Sequence, residues 1–305
     1  MIDLAPDALR GSYPPIITPF ADGTVDESTY VGLVEFQIRE GSHGIVVNGT
    51  TAEPSVLSVA ERKRIAELAM NTVAHRLPIM VATGSQSHAE TVELTEHAEE
   101  IGADAVLIVT PYYIRPPQRG LVAYFADLGA RTTLPMLVYH IPGRAAVDVT
   151  IDTLAQIADS TPNFVGIKHA VADLGLVSDM LALFGPEFRV FVGLEELSFP
   201  MLALGAAGMV NAIGNIAPRR VVDLFEAVAA GDLTRARALH YELLGLNRAV
   251  FFDTNPIPLK YMMRRVGLLD RNEHRLPMMP ATPELEARLD AVLRDAGVEP
   301  LTVIR

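Results

Sequence analysis

The sequence predicts an α/β protein built as a TIM (β/α)8 barrel with a C-terminal helical appendage. Short runs rich in β-branched residues recur at the spacing of successive β/α units. Each run is apolar throughout, as expected of parallel strands that are covered on both faces. We expect the eight strands at residues 15–20, 44–49, 79–84, 105–111, 136–142, 164–170, 189–193 and 208–214. Such a barrel places its active groups at the C-terminal ends of the strands.

Helical patterns with one polar face separate these runs. The pattern at residues 58–74 begins with Ser58, and Glu61 follows three residues later, which is the spacing of an N-terminal capping box. Residues 87–101 show a similar pattern. An open, doubly wound sheet is the structural alternative. However, no Gly-x-Gly-x-x-Gly motif follows the first run, so the nucleotide-binding fingerprint of that fold is missing.

The end of the chain differs from the rest. Beyond Pro218 the sequence shows only helical patterns, up to Leu293. We therefore divide the 305 residues into a barrel at 1–225 and a C-terminal helical segment at 226–305. The uncharged stretch at 197–218 is long enough for a membrane span, but proline, glycine and asparagine interrupt it. We interpret that stretch as helix, turn and buried strand.

The composition excludes several classes of function. Half of the residues are hydrophobic and the formal net charge is −12, so neither a disordered chain nor a nucleic acid partner is expected. The chain has no cysteine, which excludes a thiolate nucleophile and a Cys-ligated zinc or iron–sulfur site. Charged residues interrupt the start of the chain before any apolar signal core can form. We expect a soluble cytoplasmic protein with no membrane partner.

One lysine stands apart from the other two in the chain. Lys63 belongs to a charged helix face and Lys260 lies near a helix start, so we expect both to be structural. Lys168 lies inside the apolar sixth run, where a charged ammonium would be poorly solvated. Burial favours the neutral amine, which attacks carbonyl carbons and forms Schiff bases. A structural lysine paired with a carboxylate inside the barrel is the alternative.

Other strand ends carry groups that suit the chemistry of a keto acid. Thr50 and Thr51 follow the second run, in a turn whose hydroxyls and backbone N–H groups suit a carboxylate. Tyr139 and Arg144 lie at the end of the fifth run. A phenol can relay protons, and a guanidinium can bind a carboxylate in a bidentate manner.

The alternating directions of side chains along a strand affect which residues could meet at a metal site. Neighbouring side chains of a strand point to opposite faces, so His140 and His169 face the helices if Tyr139 and Lys168 face the barrel. A divalent-metal aldolase or hydrolase that uses His140, His169 and Glu195 is an alternative function. The parity argument weakens it, and we expect no metal site.

These residues, with others in the same order along the chain, resemble the pyruvate-dependent aldolase family of dihydrodipicolinate synthase and N-acetylneuraminate lyase. The matching pieces are Gly49-Thr50-Thr51-x-Glu53, Thr110-Pro111-Tyr112-Tyr113 with Arg115-Pro116, Tyr139-x-x-Pro142-x-Arg144, Gly166-Ile167-Lys168, Asn255-Pro256-Ile257-Pro258 and Arg275-Leu276-Pro277. The resemblance implies an eight-fold β/α barrel, assembled as a homotetramer that is a dimer of dimers. It also implies that no metal or organic cofactor is required.

For catalysis, the resemblance implies that Lys168 forms an imine with pyruvate and that Tyr139 shuttles protons as this imine is made and broken. Thr50 and Tyr113 would complete the relay, with Tyr113 acting across a dimer interface. Thr51 and nearby backbone amides would bind the pyruvate carboxylate. The imine withdraws electrons, so the methyl group of pyruvate becomes an enamine that attacks an aldehyde, or leaves in the reverse reaction.

Substrate binding follows from the same resemblance. Arg144 would hold a carboxylate on the aldehyde partner, which is aspartate semialdehyde in the synthase branch of the family. The other substrate-binding residues would be Gly49, Gly193, Glu195 and Ile213. Pro54 and Val59 stand where lysine-inhibited synthases carry polar contacts, so feedback inhibition by lysine is not expected.

Several positions depart from the synthase pattern. Ala52, His140, His169 and Ala145 stand where that branch has glycine, asparagine, glutamate and threonine, and the end of the seventh run resembles the lyase branch. The main alternative is therefore retro-aldol cleavage of a 4-hydroxy-2-oxo acid, such as 2,4-dihydroxyhept-2-ene-1,7-dioate, to pyruvate and an aldehyde. A non-catalytic barrel is a further alternative, and the presence of every relay residue argues against it.

Overall fold

The strands form a nearly closed parallel barrel in the computed structural model, which describes residues 2 and 4–299. Helices surround this barrel, so the predicted TIM barrel is confirmed. The strands are β1 (Gly11–Ser12), β2 (Phe20–Ala21), β3 (Thr24–Val25), β4 (Ile45–Val47), β5 (Ile79–Ala82), β6 (Ala105–Val109), β7 (Met136–His140), β8 (Phe164–His169), β9 (Arg189–Val192) and β10 (Gly208–Met209).

Eight of these strands form one parallel sheet in the order β1-β10-β9-β8-β7-β6-β5-β4. The two edges meet where Pro15 bridges Val46 in parallel. There the Ile16 N–H donates to the Val46 carbonyl, and the Val46 N–H donates to the Pro14 carbonyl, both at 3.0 Å. The pair β2 and β3 is a separate antiparallel hairpin.

The expected first strand at 15–20 is wrong, because the first barrel strand is β1 at Gly11–Ser12. Pro14 and Pro15 have no N–H group, so the chain after β1 makes bridging contacts without a continuous ladder. The last barrel strand is also shorter than the predicted run 208–214. After β10, Asn211 caps a 3-10 turn at Ala212–Asn215.

Twelve α-helices connect and cover the strands. They are α1 (Glu27–Arg39), α2 (Val59–Val73), α3 (His88–Glu100), α4 (Gln118–Gly129), α5 (Pro142–Ala145), α6 (Ile151–Ser160), α7 (Leu174–Phe184), α8 (Ser198–Ala203), α9 (Pro218–Ala229), α10 (Leu233–Ala249), α11 (Ile257–Arg265) and α12 (Pro283–Asp295) among the described residues. The predicted capping box of Ser58 and Glu61 begins α2. The proposed division between residues 225 and 226 falls inside α9 and stays a prediction. Across the described part of the chain, every helix is too short or too polar to cross a bilayer.

Side chains alternate between two hydrophobic layers. One layer lies between the strands and the helices, and a smaller one fills the barrel. Inside the barrel, the Tyr13 and Phe191 rings pack edge to face with centroids 5.2 Å apart. Gly44 makes room for Tyr13, because a Cβ at residue 44 would lie 2.2 Å from that ring. Side chains therefore fill the interior of the barrel, and a site is expected at the C-terminal ends of its strands.

Candidate active site

A cleft with two adjoining chambers lies at the C-terminal ends of the strands. The inner chamber has a volume of about 40 Å³ and contains Lys168 in its wall. The outer chamber has a volume of about 280 Å³. The residues shared by both walls are Thr50, Tyr139, Ile141, Arg144 and Asn255. The chambers therefore adjoin each other along these residues, with Lys168 in the wall of the inner one.

Lys168 is held near the C-terminal end of its strand by pairing with the two neighbouring strands. It lies on β8, pairs with Tyr139 of β7 and is 5% exposed. Its Nζ lies 4.0 Å from the centre of the Tyr139 ring. Gly193 provides room for the lysine, since a Cβ at residue 193 would lie 2.9 Å from Lys168 Cε. Within the described residues Nζ forms no salt bridge, so the structure does not support a lysine paired with a carboxylate.

Tyr139 and Thr50 meet beside this lysine. The Thr50 hydroxyl lies 3.4 Å from the Tyr139 hydroxyl, with the threonine as donor. Thr50 begins a 3-10 turn that follows Gly49, and Tyr139 is held by the β7 ladder on both sides. These two hydroxyls can pass a proton between them, beside the ring on which the amine lies. The geometry thus brings together three of the four predicted catalytic groups.

Asn255 connects two of the predicted substrate-binding residues. Its amide Nδ2 donates to the Thr51 hydroxyl at 3.0 Å, and its backbone carbonyl accepts from Arg144 Nη2 at 3.4 Å. Its Oδ1 is buried without a partner among the described residues. The sequence placed Asn255 in a family motif without giving it a role. Its position shows that the segment before α11 completes the cleft.

A buried ion pair supports the turn that carries Thr50 and Thr51. Glu53 ends this turn with φ of +57°, and its Oε1 accepts from Lys260 Nζ at 2.8 Å. Its Oε2 lies 3.2 Å from His274 Nδ1. Burial alone would raise the pKa of Glu53, but the His274 hydrogen bond and the Lys260 ammonium outweigh burial and lower it. Lys260 is therefore structural, as its sequence context predicted, and it ties α11 to the active-site turn.

Glu195 adds a second buried carboxyl group to the inner chamber. It follows β9 and is 4% exposed. Its Oε1 accepts from the Ala212 N–H at 2.9 Å, while Oε2 has no partner among the described residues. Burial raises the pKa of Glu195, and this effect outweighs the Ala212 hydrogen bond and the charge of Lys168. A carboxyl group in this environment favours its neutral form.

Two predicted site residues lie outside the cleft within their own chain. Tyr113 is 85% exposed and lines neither chamber. Ile213 is fully buried; its N–H donates to Asn211 Oδ1 and its carbonyl accepts from the Ile216 and Ala217 N–H groups. Neither chamber wall includes Ile213. The roles of both residues stay predictions.

The histidines after the two reactive strands face away from the cleft, as strand parity predicts. His140 and His169 contact each other on the helix side of the barrel, whereas Glu195 lines the inner chamber. Within the ranges that the structure describes, no three His, Asp or Glu side chains are arranged to hold a metal ion. The three residues of the metal alternative therefore do not converge.

Sequence reasoning missed a buried cation in the wall of the cleft. Arg62 of α2 lines the outer chamber and is 5% exposed, and its Nη2 donates to the carbonyls of Ala82 and Gly84 at 3.1 and 3.2 Å. Arg62 lies three residues before Ile65, on the buried face of the helix. That helical spacing is the sequence signal that distinguishes Arg62 from the more exposed charged residues next to it in α2. Its neighbour Lys63 does lie at the surface and pairs with Glu93.

Comparison with known proteins agrees with this architecture. The model of the dihydrodipicolinate synthetase family matches residues 8–296. The chain belongs to this family. It is 45% identical over 293 residues to a 4-hydroxy-tetrahydrodipicolinate synthase of Thermus thermophilus, in an alignment that covers 95% of this chain and 97% of that protein. The resemblance found in the motifs is therefore confirmed, and the chain is an enzyme of a lyase family.

Solved structures of the family superpose over almost the whole chain. The dihydrodipicolinate synthase of Aquifex aeolicus gives a TM-score of 0.93 at 37% identity, covering 96% of this chain and 100% of that one. A chloride-inhibited dihydrodipicolinate synthase of Acinetobacter baumannii, complexed with pyruvate, gives 0.92 at 34% identity, covering 95% and 100%. The barrel described above is thus the family fold.

Proposed function

We propose that this chain condenses pyruvate with aspartate semialdehyde, the reaction of the synthase branch, through a Schiff base on Lys168. One observation carries this proposal most directly. The Lys168 amine lies buried at the end of the cleft, over the Tyr139 ring and free of a salt bridge among the described residues. An amine in this setting is suited to attack a keto group.

The proposed first step joins Lys168 to pyruvate. The amine lone pair attacks the C2 carbonyl carbon as the C–O π bond breaks, and a proton passes from the new ammonium nitrogen to the oxygen to give a neutral carbinolamine. Loss of that oxygen as water leaves a protonated imine, with Tyr139 delivering the proton that the leaving oxygen needs. Thr50, whose hydroxyl donates toward Tyr139, returns the proton to the phenol. The methyl carbon of the imine then loses a proton, which restores the one that Thr50 passed to the phenol, and the resulting enamine attacks the aldehyde carbon.

The cleft offers separate positions for the two carboxylates. The Thr51 hydroxyl lies in the wall of the inner chamber and is held by Asn255, which suits the carboxylate of pyruvate next to Lys168. Arg144 belongs to the walls of both chambers and suits the carboxylate of the aldehyde. The larger outer chamber would then hold the aldehyde before it reacts. Gly49 and Glu195 complete the proposed substrate contacts.

The assembly is part of the proposal. Tyr113 is exposed beyond its own cleft, at a φ of +72°, on the loop that follows β6. A second copy of the chain could receive this side chain beside its own Thr50 and Tyr139, which is how the family relay is completed. We therefore propose a homotetramer, built as a dimer of dimers, acting in the cytoplasm without a metal or organic cofactor.

A side-by-side assay tests the substrate. Purified protein is incubated with pyruvate plus aspartate semialdehyde, with 4-hydroxy-2-oxo acids including 2,4-dihydroxyhept-2-ene-1,7-dioate, and with N-acetylneuraminate. We expect kcat/KM to be highest for condensation with aspartate semialdehyde, since the relatives named above are synthases. Faster release of pyruvate from a 4-hydroxy-2-oxo acid would favour the cleavage alternative instead. Full activity after exhaustive chelation is expected, and its loss would favour the metal alternative.

A further inference from the structure

A buried pair of histidines lies on the outer face of the strands that carry the reactive groups. His140 and His169 directly follow Tyr139 and Lys168, and they pair across β7 and β8 in the same register. Both are at most 1% exposed. Nδ1 of His140 lies 3.2 Å from Nδ1 of His169. Two imidazole nitrogens therefore face each other in the protein interior.

The other two ring nitrogens face oxygen atoms. Nε2 of His140 contacts Oδ1 of Asp148, and Nε2 of His169 lies 3.2 Å from the backbone carbonyl oxygen of Asp173. The Val149 N–H lies closer to Oδ1 of Asp148, at 3.2 Å, than to Nε2 of His140, at 3.4 Å. An ionised carboxylate and a carbonyl only accept hydrogen bonds, so each Nε2 must carry a proton to bond its oxygen.

The three contacts need three protons, whereas two neutral imidazoles carry two. If both Nε2 atoms are protonated, two Nδ1 lone pairs face each other. If one proton moves to Nδ1, an Nε2 lone pair faces an oxygen instead. A third proton satisfies every contact and places one positive charge on the pair, beside the Asp148 carboxylate. The geometry thus favours uptake of one proton by the pair as a unit.

We propose that His140 and His169 bind one shared proton and act as positioning residues for Tyr139 and Lys168. The backbone links the pair to the cleft, because the His169 carbonyl accepts from the N–H of Gly193 at 2.8 Å. Gly193 in turn provides the space that Lys168 occupies. When the two rings lack the proton that their Nδ1 contact needs, the repulsion between them therefore acts on the C-terminal ends of β7 and β8. These strand ends position the Tyr139 phenol and the Lys168 amine.

The surroundings of the pair set the pH range of this proton. Among the described residues, the carboxylates that act on it are Asp148, which lies between α5 and α6, and Asp173, whose side chain caps α7 by accepting from the Leu176 N–H at 3.0 Å. Burial lowers the pKa of both histidines. For His169, burial and the neighbouring His140 together lower the pKa to about 4. The shared proton is therefore absent at neutral pH and enters as the solution becomes acidic.

Proton counting tests the shared site without reference to activity. Potentiometric titration compares the full-length protein with the double variant His140→Asn, His169→Gln, from neutral pH down to the lowest pH at which circular dichroism shows a native fold. As the pH falls, we expect the wild type to bind more protons than the double variant. This difference should rise in one step toward one proton per chain and should not exceed it. No difference at a pH of about 4, or a difference above one proton, would overturn the proposal. His88→Gln, at an exposed histidine of α3, is the matched control.

Kinetics test the positioning role, which rests on the proposed function. In His169→Gln the amide can still donate to Nδ1 of His140 but cannot take up a proton, whereas His169→Leu offers no donor. At neutral pH we expect kcat to fall about tenfold in the leucine variant, with little change in KM for pyruvate, and to be retained in the glutamine variant.

The pH profile completes this test. The ratio of the wild-type kcat to that of His169→Gln should rise more than about twofold as the pH falls, because only the wild type can gain the proton. Equal losses in both His169 variants, or a ratio independent of pH, would contradict the positioning role. If the enzyme proved inactive with the proposed substrates, the proton count would still decide whether the shared site exists.

Discussion

Lys168 and Tyr139 are paired residues on neighbouring parallel strands, and the lysine Nζ lies 4.0 Å from the centre of the tyrosine ring. This contact places an amine over the face of an aromatic ring and beside a phenol that also contacts Thr50. The strand ladder holds both residues, so their relative position does not depend on a flexible loop. A fixed amine and a fixed proton carrier are what a Schiff-base reaction needs.

The phenol is expected to act in chemistry and not in binding. Tyr139→Phe removes the hydroxyl but keeps the ring that packs on Lys168. We expect kcat to fall about 10²- to 10⁴-fold, the usual contribution of a positioned acid or base. Steady-state kinetics and the rate of imine formation measure this effect. A kcat within threefold or so of the wild type would show that another group carries the proton.

Arg144 is expected to separate the two substrates. Because its guanidinium lies where the chambers join, Arg144→Ala should raise KM for the aldehyde more than KM for pyruvate. Initial-rate kinetics with each substrate varied in turn measure the two effects, and Arg237→Ala, at an exposed arginine of α10, serves as a control. Equal losses for both substrates would show that Arg144 has been assigned to the wrong carboxylate.

The buried pair of Glu53 and Lys260 is expected to matter for stability. Both side chains are at most 2% exposed. Lys260→Met leaves the Glu53 carboxylate buried without its cation, so the free energy of unfolding should fall by about 3–5 kcal/mol. Lys63→Met removes a surface pair with Glu93 and should cost less than about 1 kcal/mol. Urea denaturation of both variants gives the comparison, and equal effects would argue against this view of the pair.

Glu61 is expected to make stability depend on acidic pH. Hydrogen bonds from Arg275, at 2.7 and 3.0 Å, lower the pKa of Glu61 to about 2 and outweigh partial burial. A carboxyl group whose pKa is lowered on folding stabilises the protein above its unfolded pKa, and this stabilisation is lost as the pH falls toward the folded value. Between pH 5 and pH 2, Glu61→Gln should therefore reduce the acid dependence of the unfolding free energy. Glu93→Gln, at an exposed carboxylate, is the control. An unfolding free energy of Glu61→Gln that depends on acidic pH as strongly as that of the wild type would contradict this account.

Much of the barrel could be predicted because its signal is local. The stretch 105–109, within the expected strand at 105–111, is apolar on both faces, and that pattern reflects burial between a packed interior and a layer of helices. The first strand could not be placed in this way. Pro15 begins the stretch where β-branched residues suggested a strand. The barrel closes there through a bridge from Pro15 to Val46 and a hydrogen bond from the His43 N–H to the Ser12 carbonyl, which join parts of the chain that are distant in sequence.

The site could be predicted in part for the same reason. Strand parity from Lys168 and Tyr139 gave the inner and outer faces, and so located the histidines correctly. Asn255 could not be given a role, because its contacts with Thr51 and Arg144 join segments far apart in the chain. The role proposed for Tyr113 requires a second copy of the chain, which no local pattern encodes.

Covalent trapping tests the central claim most directly. The protein is incubated with pyruvate, reduced with borohydride and digested, and the peptides are mapped by mass spectrometry. We expect one added pyruvate-derived group per chain, on Lys168 and absent from Lys168→Arg, while Lys63 and Lys260 stay unmodified. Failure to trap pyruvate, or a label on either of the other lysines that persists in Lys168→Arg, would contradict the Schiff-base mechanism.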